Sequence, residues 1–173
     1  MIAGYRDREP IRGKPEITST QNGKLMKTGI SMKKVWFDND MVELKIDVSD
    51  GTSHFSTKVY VGYGTLADVV AALDTFKDQV HGGIYDMLFG EFGPEYASGA
   101  FSARLHFARP GKLYVTCKME SEYSEFSVNK VASQATLHLR TEPVLMDNFI
   151  SDLKALNAKA RDEATLEAIS VNN

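Results

Sequence analysis

Apolar and polar residues alternate along much of the chain from Ile30 onward. Val42, Leu44, Ile46 and Val48 are separated by Glu43, Lys45 and Asp47, the period of two that buries one face of a β-strand. Ile30 to Phe37 forms a strand before it, across the turn Asp38-Asn39-Asp40. Ser49-Asp50-Gly51-Thr52 reads as a hairpin turn, because Asp-Gly supplies the positive φ that a tight hairpin needs. Phe55, Thr57, Val59 and Val61 continue the alternation on the returning strand.

The period then changes. Leu66, Val69, Val70, Leu73, Phe76 and Val80 recur at helical spacing, which predicts a helix over 65–80. Thr65 is placed to cap it, Asp68 suits its N-terminal dipole, and Gly82-Gly83 ends it. Residues 84–98 read as a short strand and a Gly/Pro loop. Phe101, Ala103, Leu105 and Phe107 alternate with polar residues. Arg109-Pro110-Gly111-Lys112 has the Pro and Gly positions of a type II turn leading into a strand at 112–119. A polar, acidic link over 120–130 precedes a strand at 132–140, with Leu137 and Leu139 facing the core.

A second helix starts at Glu142-Pro143, where a first-turn proline loses no hydrogen bond. Its stripe is Leu145, Met146, Phe149, Ile150, Leu153 and Leu156. A shift of 80 residues superposes the two stripes, Leu66, Val69, Val70, Leu73 and Phe76 falling on Met146, Phe149, Ile150, Leu153 and Leu156. The expected fold is α+β: a mainly antiparallel sheet of about seven strands with two amphipathic helices, open to division into two similar strand-strand-strand-helix halves. A polar, basic arm at 1–28 leads into a single α+β domain at 29–157. Residues 158–173, rich in alanine at their start, read as a helical extension or a frayed tail.

A chain of 173 residues, 43% of them hydrophobic, suffices for one domain with a substantial core. Net charge is -3, which argues against a global nucleic-acid footprint. Residues 1–34 nevertheless hold eight basic groups against three acids, so weak phosphate contacts by the arm remain open. Cys117, the single cysteine, sits on the apolar side of its strand and reads as a small buried hydrophobe rather than a nucleophile. Neither a secretory h-region at the start nor an apolar run of bilayer length is present, so a cytoplasmic protein without membrane contact is expected.

Motifs for chemistry are weak. Gly62-Tyr63-Gly64-Thr65-Leu66-Ala67 matches a dinucleotide fingerprint in letters, but it follows an antiparallel hairpin rather than opening a βαβ unit. The four histidines show no ligand spacing, and no cofactor or metal is expected. Strand parity instead gathers Arg104, His106, Tyr114, Lys118, His138 and Arg140 on the polar side of neighbouring strands, a cationic, aromatic-containing face for an acidic protein or an anionic ligand. The loop 81–98, with Tyr85, Phe92, Glu95 and Tyr96, is a second candidate surface, since aromatics among charges suit a protein interface.

Asp147-Asn148-Phe149-Ile150-Ser151-Asp152-Leu153-Lys154 resembles the closing D-x-F-I-x-x-L-type helix of small bacterial α+β families. These include immunity proteins of polymorphic toxin systems, and the likeness in element order covers roughly residues 30–157. It implies a cytoplasmic, non-enzymatic protein that binds another protein and carries no transferable catalytic residues. The basic arm and the modest net charge depart from the strongly acidic decoys that inhibit nucleases. The leading expectation is therefore a protein-binding module, with a homodimer through sheet edges as a further form. The alternatives are a small-molecule-binding protein or enzyme with a pocket between helix 65–80 and the sheet, using His106 or His138, and a structural subunit of an assembly.

Overall fold

The computed structural model describes residues 27–169, so most of the basic arm and the last four residues lie outside the described part. The elements run β1 (Gly29–Phe37), β2 (Met41–Ser49), β3 (His54–Gly62), α1 (Tyr63–Phe76), β4 (Ile84–Phe89), β5 (Ala100–Arg109), β6 (Lys112–Glu120), β7 (Ser124–Phe126), β8 (Asn129–Val131), β9 (Gln134–Thr141), α2 (Pro143–Asn157) and β10 (Glu163–Glu167). The fold is α+β. Two four-stranded sheets form, with orders β10-β1-β2-β3 and β4-β5-β6-β9, and β7-β8 make a separate hairpin. All paired strands are antiparallel.

Turn chemistry follows the sequence closely. Asp38 Oδ1 accepts the backbone N–H groups of Asp40 and Met41 at 2.8 and 2.9 Å, and Asp50 Oδ1 does the same for Thr52 and Ser53. Gly111 has φ 74°, the left-handed value its place in the β5–β6 turn requires.

The inner faces of both sheets and one stripe of each helix share one hydrophobic cluster. Leu66, Val69, Val70, Leu73 and Phe76 are the buried residues of α1, and Met146, Phe149, Ile150, Leu153 and Leu156 those of α2. The 80-residue correspondence is thus a correspondence of packing. Phe76 stacks on Phe107 with ring centroids 5.0 Å apart, tying α1 to the second sheet. Cys117 is fully buried there, and burial pushes its thiol pKa up to about 12.

Several expectations need correction. Among the described residues ten strands form rather than about seven, partly because the polar link over 120–130 holds the β7–β8 hairpin. Helix α1 starts at Tyr63, directly from the end of β3, with Gly62 as its N-cap and no side-chain cap. Thr65 and Asp68 are therefore inside the helix, and Lys77 closes it well before Gly82. The segment after α2 is neither helical extension nor frayed tail, because residues 163–167 form β10. Ala164 and Leu166 alternate with Thr165 and meet Met32 and Ile30 across β1, so a short period of two inside an Ala-rich stretch closes the first sheet.

Leu166→Ala should therefore cost about 2–5 kcal/mol of stability, as truncation of a buried leucine does. Urea denaturation checks this, and a cost under about 1 kcal/mol would mean that the tail contributes nothing to the core.

Candidate functional site

The outer face of the second sheet is set by what its inner face buries. Ala103, Leu105, Phe107, Leu113, Val115, Cys117, Met119, Leu137 and Leu139 all point into the core. Their alternates must point out. Pairing then aligns three cross-strand rows: Ile84–His106–Tyr114–Arg140, Asp86–Arg104–Thr116–His138 and Leu88–Ser102–Lys118–Thr136. All six residues assigned to this face by parity are brought together on it. With strands about 4.8 Å apart and rows about 6.7 Å apart, the rows cover roughly 14 by 13 Å.

The electrostatics of the face are more particular than a count of cations. Arg104 grips Asp86 with a two-pronged contact, Nε to Oδ1 at 2.7 Å and Nη2 to Oδ2 at 2.8 Å. That hydrogen bond holds the Asp86 carboxyl below its ordinary pKa and raises that of Arg104. Arg104 is therefore partnered, and the uncompensated positive charge comes from Lys118 and Arg140. Within these rows Asp86 is the sole carboxylate. Thr116 Oγ1 lies 3.2 Å from His138 Nδ1 and orients that ring. Arg140 is half-buried, its Nε without a hydrogen-bond partner among the described residues, while its carbonyl accepts the Ile169 N–H at 2.7 Å. Ile84, Leu88 and Tyr114 remain 58%, 51% and 41% exposed, so apolar surface borders the cations.

The loop candidate divides. Tyr85 faces inward from β4, its ring 6.0 Å from that of Phe76, and burial raises its phenol pKa, so it is not part of an exposed surface. Phe92, Glu95 and Tyr96 are exposed. The Glu91 carboxylate beside the Tyr96 hydroxyl raises the tyrosine pKa, with smaller contributions from desolvation and then Glu95. The loop is anchored at Gly93, whose N–H donates to Glu120 Oε1 at 2.8 Å, while Gln134 Nε2 donates to Oε2 at 2.6 Å. Glu120 has the same strand parity as Lys118, so the loop is fastened over the Lys118 end of the sheet face, and the two candidate surfaces adjoin. At the loop's other end, a Cβ on Gly99 would overlap Thr57 Oγ1, which explains the glycine where the loop crosses β3.

The first sheet presents a second outward face. On the outer side of the first sheet, Lys33, Lys45 and Lys58 pair across β1, β2 and β3 in one row, and Trp36, Glu43 and Tyr60 form the next. A β-bulge between Lys34 and Trp36 turns Trp36 outward; regular alternation from Ile30 and Met32 would have sent it to the core. Trp36 and Tyr60 meet edge-on, with centroids 6.1 Å apart and planes at 82°. Two cavities open on this side. One of about 400 Å³ includes Lys45, Lys58 and Tyr60, and one of about 540 Å³ includes Lys27, Lys45 and His54. The alternation of β2 and β3 was the signal that would have placed Lys45, Lys58 and Tyr60 there. The bulge had no sequence signal.

The space between α1 and the sheets is filled by core residues such as Leu66, Leu73 and Phe76, and His106 and His138 project from the far side of the second sheet. Neither histidine can serve a pocket beneath α1. Among the described residues, no group of three His, Cys, Asp or Glu side chains is placed to hold a metal ion, and no helix is long and apolar enough to cross a membrane. No family model, curated protein or solved structure matches the chain.

Because Arg104 lowers the Asp86 pKa, Asp86 should titrate below an ordinary aspartate in a carboxyl-detected NMR experiment. In Arg104→Gln its midpoint should rise to the ordinary range. The ion pair contributes to stability above the unfolded-state pKa and is lost as pH falls through the folded one. An unchanged Asp86 midpoint in the variant would break this assignment.

Proposed function

We propose that the chain is a cytoplasmic, non-enzymatic binding module that receives the acidic surface of another protein on the outer face of its second sheet. The observation that carries this reading is the set of three aligned rows, which puts Lys118, Arg140 and two histidines beside exposed Ile84, Leu88 and Tyr114. Cations steer an acidic partner and fix its orientation, while apolar side chains supply the area to be buried. Tyrosine and arginine at the centre of such a patch are the types that dominate interface energetics. Phe92 and Tyr96 extend the surface at its Lys118 end, where Glu120 holds the loop in place. The likeness to immunity-type families narrows the partner class further, to a toxin domain with an acidic face.

Capture from host lysate on the tagged full chain, followed by a binding titration with the purified partner, tests the reading. One stoichiometric protein with an acidic surface is expected. Tyr114→Ala and Lys118→Glu should each weaken it by about tenfold, in line with loss of an interface anchor or a steering charge. Raising salt should weaken it as well. Retention unchanged in both variants, or capture of nothing except a second copy of this chain, would overturn the proposal.

A further inference from the structure

We propose that two copies of this chain pair through the edge strand β4, joining their second sheets into one continuous antiparallel sheet. This self-association does not depend on capture of an acidic partner.

The first sheet ends in β10 and β3, the second in β4 and β9. An open edge is a template for another strand, and proteins interrupt such edges with covering segments or charged side chains. Three of the four are interrupted in that way. The Gly99 N–H donates to the Lys58 carbonyl on β3 at 3.0 Å, and the Ile169 N–H to the Arg140 carbonyl on β9 at 2.7 Å. Asp152 Oδ2, on α2, accepts the Thr165 N–H of β10 at 3.4 Å. Strand β4 has no such cover. It contains no proline, lysine or arginine, and it pairs with β5 without a bulge. Its single charge, Asp86, is held by Arg104 from the neighbouring strand.

The ladder identifies which backbone groups of β4 are free. The Phe107 N–H donates to the Gly83 carbonyl at 3.0 Å, and bonded and non-bonded pairs alternate along an antiparallel ladder. Tyr85, Met87 and Phe89 therefore turn their N–H and C=O groups toward β5, while Ile84, Asp86 and Leu88 turn theirs away. These last three have no backbone partner for those groups among the described residues.

A second copy fits because this set is symmetric about Asp86. An antiparallel twin centred there places Asp86 opposite Asp86 of the second copy, and Ile84 opposite its Leu88 on both sides. Every free N–H and C=O of the three residues then finds a partner. Ile84 and Leu88 are 58% and 51% exposed, and this register packs them against each other across the junction. On the inner side the half-buried Tyr85 comes beside Met87 of the second copy. A shift of two residues in either direction sets an aliphatic side chain against Asp86 instead.

The two Asp86 charges oppose the register, since like charges directly across strands repel. Each carboxylate is gripped by its own Arg104 through two hydrogen bonds, so the joined row Arg104–Asp86–Asp86–Arg104 is neutral overall. Outward side chains stay outward on pairing, which leaves Tyr114, Lys118 and Arg140 open on both copies.

Edge pairing covers less than a standard interface, so a dissociation constant of about 10–100 μM is expected. Sedimentation velocity of the purified full chain, from about 5 to about 500 μM, should show monomer passing to dimer. Over the same range, amide exchange followed by NMR should slow at Ile84, Asp86 and Leu88 as the dimer forms. Tyr85, Met87 and Phe89 should be protected at every concentration. Leu88→Lys should weaken association by at least about tenfold, as a lysine on an edge strand does. Arg104→Gln should weaken it by about tenfold by leaving the two carboxylates uncompensated, and adding Asp86→Asn should restore it. Thr136→Lys puts the same charge on β9, the opposite edge, and should change it by less than about twofold. Far-ultraviolet circular dichroism checks that the variants fold, and the exchange pattern of the unaltered chain needs no variant. A monomer throughout the range, or a dimer whose Ile84, Asp86 and Leu88 amides exchange as in the dilute protein, would overturn the proposal. So would association indifferent to Leu88→Lys in a folded variant, or weakened equally by Thr136→Lys.

Discussion

Burial of alternate residues on eight strands around one shared core is the constraint on which everything else rests. Sliding β6 by one residue would expose Leu113, Val115, Cys117 and Met119 and bury their polar neighbours. Each such side chain is worth about 1.5–3 kcal/mol in burial, so a slip forfeits an amount comparable to the whole stability of a domain this size. Register is therefore fixed from within. The outward rows then follow without needing energy of their own, which is how Tyr114 comes to stand between His106 and Arg140 while contributing nothing to the core.

The two halves are interlocked rather than simply repeated. Each helix buries five residues at corresponding positions, but the second half continues past α2 and returns its last strand to the edge of the first sheet. The Thr141 hydroxyl donates to the Glu167 carbonyl at 2.7 Å, joining the end of the second sheet to that strand. At the opposite corner the Thr57 hydroxyl donates to the Glu120 carbonyl at 2.8 Å. Glu120 serves twice there, its carbonyl holding β3 and its carboxylate holding the 90–99 loop. The sheet corner and the loop surface therefore depend on the same residue.

What the sequence disclosed depended on period. Long alternating runs such as Val42–Val48 and Phe101–Phe107, and both helix stripes, declared their elements and their buried faces at once. Arg104, His106, Tyr114, Lys118, His138 and Arg140 were legible as one face because parity is inherited from buried neighbours. The pairing of Arg104 with Asp86 was not, since it depends on which strand lies beside β5. Tyr85 was misplaced because a strand's inner face continued into what read as a loop. β10 was hidden by its length of five residues, too short to separate from a fraying helix. Trp36 depended on a bulge, which no periodicity announces.

Two outward faces, one cationic with aliphatic neighbours and one of mixed charge with aromatic neighbours, thus arise from a single packing constraint. Both faces depend on the register that builds the rows. Cross-strand NOEs in an isotope-labelled sample measure it directly. Thr116 is expected opposite both Arg104 and His138, and Tyr114 opposite both His106 and Arg140. Contacts that instead place Val115 or Cys117 opposite Arg104 would mean that the rows do not exist.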